Sequence, residues 1–457
     1  MNQTFETYLN SLTGKRICVM GVGVSNRPLC RLLAERGLDV TAWDKAPREK
    51  LDEETLSLER IGVKLLTDGA STEGLQADIV FRTPGIRPDA PEIAALLRDG
   101  VKLTSEMEAF FEVCPCRIIA VTGSDGKTTT TTLISEMLRT AGYCVWVGGN
   151  IGTPLFALAA EMQPEDIAVV ELSSFQLMTM RSSANVAVIT NLSPNHLDYH
   201  RGEEEYYAAK ENVFLWQKST DKLVLNRDND RTNALREKAH GRVEAFSCTD
   251  PSADCFLQGD TIFLRGEPLM RCDDILLPGR HNVENYMTAA LAVADFVQPE
   301  QIVSVARSFR GVEHRIELVR ELRGVRYYND SIASTPTRTI AGLRAFDQKV
   351  ILIAGGYDKK ILFDELGEEI CERVSTLVLC GATEKKIEAA VRGAKGYVHG
   401  NPEILCAPNF QSAVETAAAA AREGDVVLLS PACAAFDQFK NFAVRGETFK
   451  RIVMGWE

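Results

Sequence analysis

The segment with the clearest chemical potential runs from Thr122 to Thr129 and reads T-G-S-D-G-K-T-T. It lies between an apolar β-branched run and a stretch with a helical pattern. Glycines let backbone N–H groups turn toward phosphate oxygens, and the N-terminus of a following helix adds the positive end of its dipole. Lys127 would reach the β- and γ-phosphates, and the Thr128 hydroxyl would bind Mg²⁺. The common pattern has a glycine where Val121 stands, but the spacing still predicts a nucleoside triphosphate site.

Further polar groups that follow apolar strands are candidate metal ligands. Glu171 ends the strand-like run DIAVVE, and ligands of α/β proteins bind at the carboxyl ends of strands. We therefore expect Glu171 to be a second ligand of the nucleotide's metal ion. The loop 191–200, NLSPNHLDYH, carries two histidines and an aspartate, and its residue types fit a metal site and a solvent-facing loop equally. Lys210, shortly after a run of glutamates, has the composition of a surface lysine.

A second glycine-containing turn, G-V-G-V-S at residues 21–25, follows the first apolar strand. Such a turn suits a pyrophosphate, and Asp44 at the end of the next strand suits a hydroxyl or a ring N–H. The third glycine of a dinucleotide fingerprint is absent. The pattern therefore disfavours bound NAD.

The elements that must position these groups alternate between apolar runs and helical patterns along the whole chain, which predicts parallel α/β sheets. A chain of 457 residues is too long for one hydrophobic core, and its length suggests three domains. We predict a Rossmann-like domain at 1–115, a P-loop ATPase-like parallel sheet with a small β-region (221–278) at 116–315, and a Rossmann-like domain at 316–457. The predicted strands cover 16–20, 39–43, 78–82, 118–121, 166–171, 186–191, 325–328, 350–354, 376–380 and 426–429.

Composition narrows the possible partners and the compartment. The net charge of −12 argues against non-specific binding of nucleic acid. No apolar run reaches the roughly 18 residues of a membrane span, and the polar start MNQTFETYLN is unlike a signal peptide. We expect a cytoplasmic protein without membrane insertion. Its twelve cysteines, Cys144 among them, are expected to be reduced and buried.

Taken in order, these segments resemble the Mur ligase family, whose members join an amino acid to a UDP-muramoyl precursor. The resemblance covers essentially the whole chain. The motifs are the N-terminal glycine loop, TGSDGKTT, GGNIGTP, ELSSFQL, N-x-x-x-x-H-L-D, GRHNVENYMTAALA, EHR, NDS and SPACAAFDQF. The last motif is most similar to the D-glutamate-adding branch. The resemblance implies a monomeric, ATP-dependent ligase that adds D-glutamate to UDP-N-acetylmuramoyl-L-alanine through an acyl phosphate, with two Mg²⁺ ions.

The resemblance also implies roles for individual residues. Contacts to the UDP substrate are expected from Gly23, Ser25, Asp44, Thr83, Gly85 and Asn150. ATP contacts are expected from Gly123, Ser124, Asp125, Gly126, Lys127, Thr128, Thr129, Asn282, Asn285, Arg315 and Asp330. The implied metal ligands are Thr128, Glu171, His196 and Lys210, with Lys210 carbamylated by CO₂, and Lys127, His196 and Lys210 are the implied catalytic residues. D-Glutamate is expected to contact Ser334, Lys359 and Phe442.

Two positions depart from the family pattern near the expected amino-acid site. Ile332 stands where many relatives carry a lysine, and Ala435 replaces a serine. Lys360 is a second candidate for binding the acceptor's carboxylate.

Three other classes share part of the pattern. A P-loop kinase or simple NTPase explains 122–129 and Glu171 but not the two further domains. A folate polyglutamylating ligase shares the ATP residues but not GGNIGTP or SPACAAFDQF, and a non-catalytic nucleotide sensor would bind ATP without releasing phosphate.

Overall fold

The computed structural model describes residues 3–97, 100–359 and 361–456. These residues form two compact units. Unit 1 contains the chain up to Cys272 together with Glu284–Val305, and unit 2 contains Asp273–Val283 and the chain from Ala306 onward. The described strands form three sheets of five, nine and six strands, which confirms the predicted α/β class. The predicted boundaries at 115/116 and 315/316 stay predictions.

The first sheet of unit 1 is entirely parallel, in the order β3-β2-β1-β4-β5. Its strands are β1 (Arg16–Met20), β2 (Asp39–Trp43), β3 (Lys64–Leu66), β4 (Ile79–Arg82) and β5 (Lys102–Thr104). Central strands β1 and β4 are buried along nearly their whole length, as expected for a parallel sheet covered on both faces.

The second sheet of unit 1 has the order β14-β13-β12-β11-β10-β9-β6-β8-β7. Its strands are β6 (Arg117–Thr122), β7 (Val145–Gly149), β8 (Ile167–Glu171), β9 (Val186–Ile189), β10 (Lys222–Asn226), β11 (Arg242–Ser247), β12 (Cys255–Gln258), β13 (Thr261–Leu264) and β14 (Glu267–Arg271). All pairs are parallel except β12–β13 and β13–β14. The predicted small β-region therefore continues the central sheet.

The two sheets of unit 1 share one apolar core. Phe5 of the N-terminal helix packs against Phe156, with the ring centroids 5.4 Å apart, and Tyr8 contacts the same ring. A single cluster of buried side chains includes residues of both sheets, such as Val19 and Ala120. Because this core crosses residue 115, the two sheets form one compact unit.

The sheet of unit 2 has the order β15-β16-β20-β17-β18-β19, with β15 antiparallel at the edge and the remaining pairs parallel. Its strands are β15 (Glu317–Leu322), β16 (Val325–Asn329), β17 (Val350–Ala354), β18 (Val374–Leu379), β19 (Glu403–Cys406) and β20 (Val426–Leu429). Side chains alternate across a strand, so Leu352 lies in one core and Ile351 and Ile353 lie in the core on the other face.

Helices cover the sheets and connect their strands. They are α1 (Gln3–Ser11), α2 (Asn26–Glu35), α3 (Glu53–Leu56), α4 (Pro91–Leu97), α5 (Glu106–Val113), α6 (Lys127–Thr140), α7 (Ser174–Leu177), α8 (Glu203–Glu211), α9 (Asp230–Ala234), α10 (Arg280–Val293), α11 (Pro299–Ser308), α12 (Pro336–Leu343), α13 (Asp364–Arg373), α14 (Glu384–Gly393), α15 (Phe410–Ala420) and α16 (Phe442–Met454). None of those found in 3–97, 100–359 and 361–456 has the length and apolar character of a membrane span.

The cysteines follow the expectation only in part. All twelve are free thiols, and seven of them are buried. Cys144 is exposed, contrary to the prediction, and so is Cys406. Cys144 directly precedes β7, an edge strand of the central sheet, where few neighbours cover its side chain.

Candidate functional site

The predicted phosphate loop connects β6 to α6, as its sequence indicated. Gly123 has φ +145° and Gly126 has φ +78°, conformations that favour glycine. A Cβ at Gly123 would lie 2.0 Å from Thr190 Oγ1, and a Cβ at Gly126 would lie 2.4 Å from Asn285 Oδ1. Both positions therefore require glycine for space as well as for conformation. Lys127 begins α6 and its Nζ donates to the carbonyl oxygens of Gly123 (3.0 Å) and Ser124 (2.8 Å).

Side chains that follow β9 hold the outer part of this loop. Asn191 Oδ1 accepts a hydrogen bond from the Asp125 N–H at 3.0 Å, and Thr190 Oγ1 donates to the Asp125 carbonyl at 2.5 Å. Ser124 Oγ donates to the Ser193 carbonyl at 2.8 Å. The loop is thus preorganised by the strand next to its own. Thr128 and Thr129 lie in the first turn of α6, and Thr129 is buried.

Lys210 is one of the most deeply buried side chains of unit 1, with 1% exposure. Its Nζ donates to the Gly123 carbonyl at 2.7 Å and to Thr122 Oγ1 at 3.3 Å, and it lies 4.8 Å from the centroid of the Tyr206 ring. Burial, and secondarily the positive charge of Lys127, hold the pKa of Lys210 well below its ordinary value. Lys210 therefore lies directly against the phosphate loop with an amine that loses its proton easily. The composition-based expectation of a surface lysine is wrong.

Glu171 lies at the carboxyl end of β8, as predicted, and is 1% exposed. Its Oε1 accepts a hydrogen bond from Asn150 Nδ2 at 2.7 Å, and the Asn150 N–H donates to the Glu171 carbonyl at the same distance. Its Oε2 is buried and has no hydrogen-bond partner among the described residues. A buried carboxylate oxygen without a donor suits a cation, since isolated buried charge is costly. This observation fits the Mg²⁺ site that the family resemblance implies.

His196 is exposed on the loop after β9, in the left-handed region at φ +53°. Its ring centroid lies 5.0 Å from Phe175 and 6.3 Å from Tyr206. The second histidine of this loop, His200, is buried and its Nε2 lies 2.9 Å from Ser174 Oγ. The two histidines thus have different surroundings, and only His196 presents its ring to solvent.

The residues predicted to contact the UDP substrate lie at the carboxyl edge of the first sheet, except Asn150. Asp44 accepts hydrogen bonds from the N–H groups of Val22 (2.8 Å) and Ala46 (2.9 Å), so its carboxylate fixes the glycine turn. Thr83 packs against Gly21, where a Cβ would lie 2.4 Å from Thr83 Cγ2. Gly23 and Gly85 are exposed, and Ser25 precedes α2.

Unit 2 contains a second group of predicted residues, at the carboxyl ends of its strands. Asp330 directly follows β16 and accepts a hydrogen bond from Ser430 Oγ at 2.8 Å, at the end of the neighbouring β20. Burial raises the pKa of Asp330 to about 7, against the opposing effects of Ser430 and the positive charge of Arg315. Asp330 is therefore poised to change its charge close to neutral pH.

The remaining predicted residues of unit 2 are less deeply placed, with one exception. Asn282 is buried and its Nδ2 donates to the Pro278 carbonyl at 2.7 Å. Ser334 follows the NDS motif, and its N–H donates to the Ile332 carbonyl at 2.8 Å. Lys359 is exposed after β17, and Phe442 begins α16 with its ring centroid 6.0 Å from that of His314. Lys360 lies outside the described residues.

Sequence reasoning assigned no role to several residues that touch the phosphate loop, Tyr206 and Asn191 among them. Tyr206 donates or accepts a hydrogen bond with Ser124 Oγ at 3.0 Å, and Asn191 holds the Asp125 N–H. Tyr206 lies four residues before Lys210 on α8, so helical spacing puts the two on one face. That spacing could have indicated Tyr206 once Lys210 was suspected.

Comparisons with known proteins agree with this architecture. Residues 121–293 match the model of the Mur ligase middle domain, and residues 314–433 match that of the Mur ligase glutamate ligase domain. The chain is 49% identical over 455 residues to a UDP-N-acetylmuramoylalanine–D-glutamate ligase of Clostridium novyi, covering 99% of both chains. It is 50% identical over 462 residues to a ligase of the same name from Acetivibrio thermocellus, again covering 99% of both.

Solved structures with related folds are more distant in sequence. UDP-N-acetylmuramate-alanine ligase from Thermotoga maritima superposes with a TM-score of 0.59 at 18% identity, over 96% of this chain and 99% of that one. A UDP-N-acetylmuramoyl-L-alanyl-D-glutamate–2,6-diaminopimelate ligase gives a TM-score of 0.58 at 18% identity, over 91% and 93%. These two likenesses concern the fold.

Proposed function

The chain belongs to the Mur ligase family, and we propose that it is an ATP-dependent ligase that joins D-glutamate to UDP-N-acetylmuramoyl-L-alanine in peptidoglycan precursor synthesis. Two relatives that match over their full length, at 49% and 50% identity, are named for that reaction. One observation carries the proposal: Lys210 contacts the phosphate loop through a hydrogen bond to the Gly123 carbonyl. The buried carboxylate of Glu171 lies at the end of the adjacent strand β8. This arrangement supports phosphoryl transfer rather than nucleotide storage.

The reaction needs activation because a carboxylate and an amine do not condense in water. In the first step, a carboxylate oxygen of the muramoyl-L-alanine substrate attacks the γ-phosphorus of ATP. The bond from that phosphorus to the β–γ bridging oxygen breaks, and ADP leaves. In the second step, the amine of D-glutamate attacks the acyl carbon, the bond to phosphate breaks, and phosphate and one proton are released.

The first step brings two anions together, and the phosphate loop supplies the groups that make this possible. Its backbone N–H groups and the N-terminus of α6 would bind the terminal phosphates. Lys127, whose Nζ lies 2.8 Å from the Ser124 carbonyl, is within reach of the same phosphates. The backbone N–H groups are fixed before the substrate arrives, as stabilisation of developing charge requires.

Two Mg²⁺ ions are part of the proposal. Thr128 and Glu171 would hold the first, which fits the buried Glu171 Oε2 that lacks a donor among the described residues. His196 and Lys210 would hold the second. When bound, Mg²⁺ neutralises phosphate charge and polarises the transferring group.

A lysine can serve a cation only if its own charge is removed. The lowered pKa of Lys210 supports carbamylation, because the neutral amine is the form whose nitrogen attacks the carbon of CO₂ with loss of one proton. The product is a carbamate anion on the buried side chain. We expect a carbamate carbonyl resonance in ¹³C NMR of protein equilibrated with ¹³CO₂, and its absence in Lys210→Met.

The acceptor amino acid is proposed to bind unit 2. Lys359 would receive a carboxylate of D-glutamate, and Ser334 and Phe442 would contact the rest of the molecule. Ile332 carries no charge and Ala435 no hydroxyl, so the exposed ammonium of Lys359 would have the larger share of the recognition. We also propose ATP contacts for Asn285 and, in unit 2, for Asn282, Arg315 and Asp330.

The test is phosphate release with ATP, Mg²⁺ and UDP-N-acetylmuramoyl-L-alanine, comparing D-glutamate with L-glutamate and other amino acids. We expect release only when both the UDP substrate and D-glutamate are present. Phosphate release with a different amino acid would support the ligase assignment but would replace D-glutamate as the acceptor. Release from ATP alone, indifferent to both partners, would refute the ligase assignment in favour of an NTPase.

We further propose that the enzyme acts as a monomer in the cytoplasm, where ATP and nucleotide-linked precursors are available. Sedimentation velocity at micromolar concentration, with and without substrates, tests the first part. A stable dimer would contradict it.

A further inference from the structure

A set of polar side chains ties the loop after β4 to the elements that surround the phosphate loop. This loop, residues 83–87, carries Thr83 and Gly85, which the family resemblance implies as contacts of the UDP substrate. Three side chains make the connection: Arg82, Arg87 and Tyr199. We call them the bridge residues.

Arg82 ends β4 and is 1% exposed, which is unusual for an arginine. Its Nη1 donates to the carbonyl oxygens of Ile86 (2.7 Å) and Pro84 (3.3 Å), so one nitrogen holds the loop in shape. Its Nη2 donates to the Phe175 carbonyl at 3.0 Å. Phe175 belongs to α7, which begins three residues after Glu171. One buried guanidinium therefore holds two segments at a fixed separation.

Arg87 and Tyr199 form a second connection. Arg87 makes two parallel hydrogen bonds to the Glu205 carboxylate, both at 2.9 Å, and donates to the Tyr199 carbonyl. The Arg87 side chain lowers the pKa of Glu205 to about 2. In the opposite direction, Tyr199 Oη donates to the Pro84 carbonyl at 2.7 Å. Bidentate pairs of this kind fix direction as well as distance.

The far ends of these contacts lie close in sequence to the proposed phosphoryl-transfer residues. Tyr199 is three residues after His196, and Glu205 lies on α8, which also carries Lys210. A shift of the loop 83–87 would therefore displace α7, the loop after β9 that carries His196, and α8 together. The bidentate pair of Arg87 and Glu205 fixes direction as well as distance, so the loop and α8 are expected to move together.

We propose that Arg82, Arg87 and Tyr199 are positioning residues that couple occupancy of the UDP-substrate loop to occupancy of the phosphate loop. The inference rests on the proposed function for the identity of the two ligands. Its consequence is thermodynamic: a bound ATP analogue should tighten binding of the UDP substrate, and the UDP substrate should tighten binding of the analogue by the same factor. In this proposal the bridge residues act through the elements they hold.

The variants are chosen so that folding is preserved. Replacing Arg82 would leave buried carbonyl oxygens without donors, so Arg87→Gln and Tyr199→Phe are the informative changes. The chain offers matched controls that contact the same helix, α8. Arg231 lies 4.4 Å over the Tyr207 ring and pairs with Glu203 and Glu204 of α8, but it belongs to α9 instead of the loop. Arg231→Gln and Tyr207→Phe therefore remove the same chemical groups outside the bridge.

Calorimetry measures the Kd of UDP-N-acetylmuramoyl-L-alanine with and without saturating Mg²⁺ and a non-hydrolysable ATP analogue. For the wild type we expect a ratio of about fivefold or more, the usual range of coupling between sites. Arg87→Gln and Tyr199→Phe should bring the ratio close to one and lower kcat by about tenfold, with the Kd of the analogue alone changed by less than about twofold. The two controls should keep the ratio and kcat of the wild type.

A wild-type ratio of one, unchanged ratios in both bridge variants, or equal loss in the controls would overturn the proposal. The binding measurements need no turnover. Failure of the wild type to release phosphate would therefore refute the proposed ligase reaction alone. Active ligation, with the same Kd ratio in the bridge variants as in the wild type, would refute the coupling alone.

Discussion

Replacing Glu106 by glutamine should make the stability of unit 1 less dependent on pH. Glu106 begins α5 and is almost fully buried, and its Oε1 accepts a hydrogen bond from the Phe156 N–H at 2.8 Å. Burial raises the pKa of Glu106 to about 7, although the N–H groups of Phe156 and Leu155 act in the opposite direction. In the unfolded chain the same carboxyl has a pKa close to 4.5.

The sign of the effect follows from which state holds the proton. Because the folded pKa is the higher one, the stabilisation from proton binding is complete below pH 4.5 and is lost as pH rises toward 7. One pKa unit corresponds to about 1.4 kcal/mol. Between pH 5 and pH 8, ionisation of Glu106 should lower the free energy of unfolding by about 2–3 kcal/mol. Glutamine keeps an oxygen acceptor for the Phe156 N–H but has no proton to lose.

The assay is urea unfolding at pH 5 and pH 8 in a Trp456→Phe background. The three other tryptophans, Trp43, Trp146 and Trp216, all lie in unit 1, so fluorescence then reports that unit alone. At each pH we subtract the free energy of unfolding of Glu106→Gln from that of the wild type. The prediction concerns how much this difference changes between pH 5 and pH 8. Glu112→Gln on the exposed side of α5 is the control for the loss of a carboxylate from the same helix. If this change between pH 5 and pH 8 is below about 0.5 kcal/mol for Glu106→Gln, the buried-carboxyl argument is refuted.

Three further predictions concern the phosphate loop and its neighbours. Lys210→Ala should lower kcat by at least about a hundredfold, with partial rescue by formate or acetate, and full activity without rescue would remove Lys210 from the site. Gly126→Ala should weaken ATP binding by about tenfold in calorimetry, because its Cβ would meet Asn285 Oδ1 at 2.4 Å. Gly142→Ala is the matched control, since φ is +92° there and no described atom outside its immediate neighbours lies within 4 Å of the Cβ, so it should lose stability but keep ATP affinity. Glu171→Gln should raise the half-saturating Mg²⁺ concentration by about tenfold in a steady-state titration, and an unchanged Mg²⁺ dependence would contradict its role as a ligand.

Strongly apolar central strands could be predicted from the sequence because burial on both faces leaves a continuous β-branched run. β1, β2, β17 and β20 have the predicted bounds. The short edge strands β3, β5 and β19 were not predicted, since each is three or four residues long and only partly buried. Their pairing depends on a neighbouring strand that is distant in the sequence.

Side-chain environments were harder to predict than strands. The glycines of the phosphate loop could be predicted, because their conformation and spacing are local properties. The burial of Lys210 could not, because the atoms that enclose its Nζ come from β6 and the loop after it, more than eighty residues away. The opposite error occurred at Cys144, where an apolar local sequence leads to an exposed thiol.

The hydrogen bonds of Lys127 have a consequence for turnover. Its ammonium group already satisfies two carbonyl oxygens of the loop it belongs to, Gly123 and Ser124. A nucleotide must therefore compete with an internal ligand, and binding becomes an exchange of one set of contacts for another. Such an exchange gives a smaller net free energy than a new contact would. The same two carbonyl oxygens are available to the lysine again when the nucleotide departs, so its charge is not left without partners in the empty loop.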